Sequence, residues 1–70
     1  KARVARLQRV TADPEASWKA LTDSGTTHVV LHANAFANPA DAETVRVWLE
    51  THGARLVETF EDRDTLYEIR

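Results

Sequence analysis

Apolar residues recur with helical spacing in two segments of the chain, and each segment is bounded by a proline and a glycine. The first lies between Pro14 and Gly25 and is expected to end near Ser24, and the second lies between Pro39 and Gly53. Proline suits the first position of a helix, and glycine suits the residue that follows its last turn. The spacing therefore predicts two amphipathic helices. The apolar side of the second helix follows an i, i+3, i+4, i+7 pattern and comprises Ala42, Val45, Trp48, Leu49 and His52.

Three further segments, 26–32, 54–60 and 65–69, are predicted to be strands, because they are rich in β-branched and aromatic residues and lie between turn-forming residues. Only the polar residues 61–64 separate the last two, so these are expected to pair as an antiparallel hairpin. Residues 1–10 are ambiguous between a helix and a strand. Their apolar side chains recur every third residue, which suits a helix. We favour a strand, because it makes the following helix a standard crossover between two strands.

These elements predict an α/β fold: a single small two-layer domain of order β-α-β-α-β-β, with a mostly parallel sheet and a C-terminal antiparallel hairpin. The second strand is placed between the first and the third, because Val29, Val30 and Leu31 give it apolar side chains on both faces. This order puts both helices on one face of the sheet. The other face is left uncovered and is expected to meet a neighbour, either a second copy or the rest of a larger protein.

Composition narrows the class of protein. With 70 residues, 43% hydrophobic and 29% charged, the chain is expected to form one soluble domain over residues 1–70. It contains no apolar run near the roughly 20 residues that a membrane-spanning helix needs, so this segment is not expected to insert into a membrane. It has no cysteine, which excludes disulfides and thiolate metal sites. It also lacks an initiator methionine, and we interpret it as a fragment of a longer protein.

The loop after the predicted central strand holds the candidate ligand-binding residues, His32, Asn34 and Asn38, which could form a polar rim. Ligands of open α/β sheets gather outside the carboxyl ends of the strands, and the helix that follows this loop presents an N-terminus that favours anions. The alternative interpretation is structural. In that case Asn38 caps the helix, Asn34 holds a turn and Phe36 fills the core.

No catalytic residue, metal site or cofactor is expected in this segment. His28 and His32 are four residues apart on a predicted strand, which separates them by about 13 Å. The serines lack a Gly-x-Ser-x-Gly setting, two glycines cannot form a phosphate-binding loop, and Asp62 and Asp64 are expected to be solvated in a turn. Residues 1–10 carry four basic groups, but the net charge of −2 and the few aromatic residues argue against a nucleic-acid partner.

Four stretches form a pattern over about residues 16–70. They are Trp18-Lys19-Ala20-Leu21, Gly25-Thr26-Thr27-His28-Val29-Val30-Leu31-His32, Trp48-Leu49-Glu50-Thr51-His52-Gly53-Ala54-Arg55-Leu56-Val57 and Thr65-Leu66-Tyr67-Glu68-Ile69. This pattern resembles the soluble C-terminal region of bacterial multi-spanning membrane glycosyltransferase-like proteins. Only His32, Gly53 and the Leu66-Tyr67 ending go beyond the hydrophobic pattern of alternating strands and helices.

The resemblance implies a parent protein that transfers a sugar from a lipid-linked donor, with catalytic acidic residues in other loops near the membrane. This domain would then be a non-catalytic accessory domain on the extracytoplasmic side of the cell membrane, and its partner would be the membrane-embedded remainder of that protein. No catalytic residue can be transferred to a position of this sequence. The alternative is a freestanding α/β binding or regulatory module that pairs with a homodimer partner through its uncovered sheet face.

Overall fold

A computed structural model describes residues 2–69, so Lys1 and Arg70, the two ends of the predicted domain, lie outside the described residues. The α/β class and the order of elements are confirmed, and residues 1–10 contain a strand where they are described. The elements are β1 (Val4–Leu7), α1 (Pro14–Asp23), β2 (His28–Leu31), a 3-10 turn (Ala33–Ala35), α2 (Pro39–Thr51), β3 (Arg55–Thr59) and β4 (Thr65–Glu68). Within residues 2–69, neither helix has the length and apolar character needed to cross a membrane.

The four strands form one mixed sheet in the order β1-β2-β4-β3. β1 and β2 are parallel, and the predicted hairpin of β3 and β4 is antiparallel. Because β2 and β4 are also antiparallel, the sheet is mixed and not mostly parallel as predicted. The prediction that the third strand lies beside the second is wrong, because β4 pairs with β2 instead and leaves β3 at the edge. The burial of the two strands agrees with this placement. β4 contributes the fully buried Tyr67, whereas every residue of β3 is exposed.

The helices begin where the sequence predicts, because a side chain caps each one. The Asp13 carboxylate accepts a hydrogen bond from the main-chain nitrogen of Ala16 (3.1 Å), and each helix has proline in its first turn. Gly25 and Gly53 follow the two helices with φ of 79° and 91°. Residues that carry a side chain rarely adopt such φ angles, which is why a glycine follows each helix.

Both helices cover the same face of the sheet. The core on that face contains Val29 and Leu31 of β2, with Tyr67 of β4, and Val45 and Leu49 of α2 pack against them. Phe36 is buried in the same core, as the structural interpretation of its loop predicts. The indole rings of Trp18 in α1 and Trp48 in α2 meet edge to face, with centroids 5.8 Å apart. The predicted two-layer arrangement is therefore confirmed.

The opposite face of the sheet, called the open face below, carries no helix within residues 2–69. Strand register and the alternation of side chains assign eight residues of the four strands to it. They are Val4, Arg6, His28, Val30, Arg55, Glu58, Leu66 and Glu68. Val30 and Leu66 at its centre are half-buried, although the described part of the chain provides no layer over them.

Candidate functional site

His32 and Asp64 continue the pairing of β2 and β4 by one residue beyond Leu31 and Thr65, and both side chains lie at the end of the open face. The Nδ1 atom of His32 lies 2.5 Å from a carboxylate oxygen of Asp64. The Asp64 side chain is 10% exposed and that of His32 is 27% exposed. A nearly buried carboxylate thus holds the imidazole in one orientation.

Asn34 attaches the same loop to the turn between β3 and β4. Its side-chain amide donates to the main-chain oxygen of Asp62 over 2.6 Å. The turn is tight, because Asp62 also accepts from the main-chain nitrogen of Asp64 (3.2 Å) and Arg63 has a φ of 71°. Asn34 and His32 therefore connect the loop after β2 to the hairpin turn at two points.

Asn38 lies apart from this cluster and caps α2. Its side-chain oxygen accepts a hydrogen bond from the main-chain nitrogen of Ala40 over 3.0 Å. This is the structural role that the sequence offered as the alternative for Asn38. The structure thus brings together two of the three predicted rim residues, His32 and Asn34, and each of the three has a structural partner. Their binding of a ligand stays a prediction.

The His32–Asp64 pair has a defined chemical capacity. A carboxylate oxygen accepts hydrogen bonds, so the proton of this bond belongs on Nδ1 of His32 and the ring's Nε2 is left available. Across residues 2–69 the His32 side chain has no partner other than Asp64, so no nucleophile is held against it. The pair orients a histidine but does not assemble a nucleophilic catalytic set.

Asp64 is the site residue that sequence reasoning missed, because it was expected to be solvated in a turn. It is 7% exposed. No local signal distinguishes it from Asp62. Its position opposite the histidine depends on which strand of the hairpin pairs with β2, and the sequence predicted the wrong strand.

A second charged cluster lies at the other end of the open face. Glu68 accepts from the Arg55 guanidinium over 2.5 Å, and His28 Nε2 lies 3.8 Å from its other oxygen. The hydrogen bond from Arg55 lowers the pKa of Glu68 below its usual value of 4.5, and the charges of Arg55 and His28 act in the same direction. The residues described by the structure form no cluster of three or more metal-ligating side chains.

Comparison with protein-family models, curated protein sequences and solved structures finds no match to this chain.

Proposed function

We propose that this domain is a non-catalytic interaction module that forms a dimer through the open face of its sheet. One observation carries the proposal: a row of four side chains crosses the face with opposite charges at its ends. Strand pairing places Arg6 beside Val30, Val30 beside Leu66, and Leu66 beside Glu58. This set is called the Arg6–Glu58 row below.

The Arg6–Glu58 row is complementary to itself. In a dimer whose two-fold axis runs parallel to the strands, between β2 and β4, each row lies over the same row of the second copy. Arg6 then faces the second copy's Glu58, and Val30 faces its Leu66. Both contacts occur twice, as in any interface made from the same patch on both subunits. The apolar centre is dehydrated, and the two charges stay at the polar rim.

The edges of the sheet make association through this face more favourable than strand addition. The edge strand β3 carries Arg55 and Glu58 and has an irregular register between Leu56 and Glu58. The other edge, β1, carries Arg6. Charges and bulges on edge strands oppose pairing with another strand. The two faces of a dimer, by contrast, would stack at the ordinary separation of about 10 Å.

The open face is small, so the dimer should be weak. Four strands about 4.8 Å apart and about five residues long give a projected area of roughly 300 Å² for each copy. Interfaces at the low end of the size range belong to transient complexes. We therefore expect a monomer in dilute solution and a dimer at high concentration.

Sedimentation equilibrium of the 70-residue chain, from micromolar to millimolar concentration, tests the proposal. Arg6→Glu and Glu58→Arg each replace two attractive contacts by two repulsive ones, and each should weaken dimerisation at least about tenfold. The double variant Arg6→Glu/Glu58→Arg exchanges the charges and should restore it. Glu50→Arg in α2, on the helical side, is the matched control and should leave dimerisation unchanged.

Two results contradict the proposal. The first is a chain that remains monomeric at millimolar concentration. The second is a double variant that associates no better than the single variants, since the Arg6–Glu58 contact then plays no part in the association.

The second candidate function is the accessory domain of a membrane glycosyltransferase-like protein, and the observation that favours it is also the uncovered sheet face. In that case the membrane-embedded remainder of the parent would cover Val30 and Leu66, on the extracytoplasmic side of the cell membrane. The coding sequence upstream of Lys1 tests this candidate. Many hydrophobic spans in the same reading frame would support it, and a start codon a few residues upstream would contradict it.

A further inference from the structure

A second feature lies on the helical side of the sheet, away from the open face. A half-open cavity of about 400 Å³ is lined by β1, the segment that joins β1 to α1, and the two helices. Ligand cavities in proteins range from about 300 to 1,000 Å³. The volume is therefore sufficient for a small molecule.

The cavity exists because α1 is packed less closely than α2. No residue of α1 is buried, whereas α2 buries Val45 and Leu49. The walls contributed by β1 and α1 include the short side chains of Ala5 and Ala20. Side chains of this length leave the space between helix and sheet unfilled, and the wall that remains is largely apolar.

The hydroxyl groups that line the cavity are already hydrogen-bonded to the protein. Those of Thr11 and Ser17 bond each other over 2.6 Å, and those of Ser24 and Thr26 bond each other over 2.8 Å. The Thr44 hydroxyl donates to a main-chain carbonyl in its own helix over 3.1 Å. These groups therefore need no polar ligand.

Two nitrogen donors of the lining have no such partner. Arg9 is exposed and forms no ion pair or hydrogen bond with any residue from 2 to 69. The indole nitrogen of Trp48 is buried, and the described part of the chain offers it no acceptor. Because this nitrogen has almost no accessible surface, a ligand in the cavity would meet Arg9 and not the indole nitrogen. An apolar cavity lined by one unpaired cation is complementary to an apolar molecule that carries one negative charge.

We propose that this cavity binds an amphipathic monocarboxylate, with its alkyl chain between α1 and the sheet and its carboxylate against Arg9. The volume equals that of about 13 water molecules in the liquid, at about 30 Å³ each, and so suits a chain of about ten carbons. This ligand site is separate from the proposed dimer surface, and either one can exist without the other.

Titration of the 70-residue chain with decanoate, followed by amide and indole NMR shifts, tests the proposal. We expect saturable shifts in β1, in α1 and at the Trp48 indole nitrogen. Octanoate, shorter by two methylene groups, should bind roughly tenfold more weakly. Decyltrimethylammonium carries the opposite charge, so replacing Arg9 should not weaken its binding.

Two variants locate the site. Arg9→Gln should weaken decanoate binding about fivefold. Arg63→Gln, in the turn between β3 and β4, removes the same charge away from the cavity and should have no effect. Ala20→Leu adds three carbons to the cavity wall and should also reduce decanoate binding. Sedimentation of this variant reports whether the dimer surface is unchanged.

Any of three results overturns the proposal. They are no saturable shift with millimolar decanoate, shifts confined to the open face, and equal affinity of the Arg9→Gln and Arg63→Gln variants for decanoate.

Discussion

Replacing Asp64 with alanine removes the only side-chain partner of His32 among the described residues, and its effect can be estimated from the geometry. The hydrogen bond is 2.5 Å long and the Asp64 side chain is 10% exposed. A hydrogen bond to a charged group contributes about 1.5–3 kcal/mol. Because the His32 side chain is 27% exposed, solvent screens part of this interaction, and we expect a coupling of about 1–2 kcal/mol.

This loss is large for so small a domain but leaves it folded. Proteins are stabilised by about 0.05–0.15 kcal/mol per residue, which gives roughly 4–10 kcal/mol for a chain of this length. Each kcal/mol lowers the melting temperature of such a domain by about 4–8 °C. The Asp64→Ala variant should therefore melt roughly 5–15 °C below the parent chain.

A double-mutant cycle isolates the pair. Urea unfolding of the parent chain, Asp64→Ala, His32→Ala and the double variant, followed by tryptophan fluorescence, gives the coupling free energy. Asp23→Ala is the control, because the bond of Asp23 to Lys19 is exposed and should be worth less than about 0.5 kcal/mol. A coupling below about 0.5 kcal/mol between His32 and Asp64 would refute the conclusion that their bond holds the loop to the hairpin.

Two further predictions concern the cap of α2 and the acid sensitivity of the open face. Asn38→Ala should destabilise the chain by about 1 kcal/mol in urea unfolding, because the Ala40 nitrogen loses its acceptor, while Asn38→Asp should stay within a few tenths of the parent; an equal loss in both variants would argue against the cap. The lowered pKa of Glu68 means that its bond with Arg55 stabilises the fold above the usual pKa of 4.5, and that this contribution disappears as the pH falls through the lower folded value. Glu68→Gln should therefore flatten the decrease in stability below about pH 4.5, and an unchanged pH profile would contradict this assignment.

The local elements could be predicted because their signals lie within a few residues. Asp13 and Asn38 each precede a proline, and Gly25 and Gly53 each follow a helix, so both helices were located correctly. The continuous apolar run of β2 also correctly predicted a strand at the centre of the sheet. Caps and glycines act on the local backbone, and a continuous apolar run indicates burial on both faces whichever elements provide the cover.

The order of the last two strands could not be read in the same way. The sequence predicts that they form a hairpin, but either strand of a hairpin can pair with β2. Tyr67 and the half-buried Leu66 favour β4 in the inner position, and the exposed residues of β3 favour the edge. That choice depends on the total surface buried by the whole sheet.

The sequence by itself determined two capped helices, a central apolar strand and a hairpin, because each follows from side-chain periodicity or turn chemistry over a short span. The uncovered sheet face was predicted from a strand order that is wrong in part, so it depends on the tertiary structure as well. The tertiary structure alone decided that β4 lies beside β2. That pairing brings Asp64 to His32, completes the Arg6–Glu58 row and places Asn34 on the hairpin turn. The His32–Asp64 and Asn34–Asp62 contacts join residues 32 and 28 positions apart, and only the packing of the complete sheet determines which residues meet.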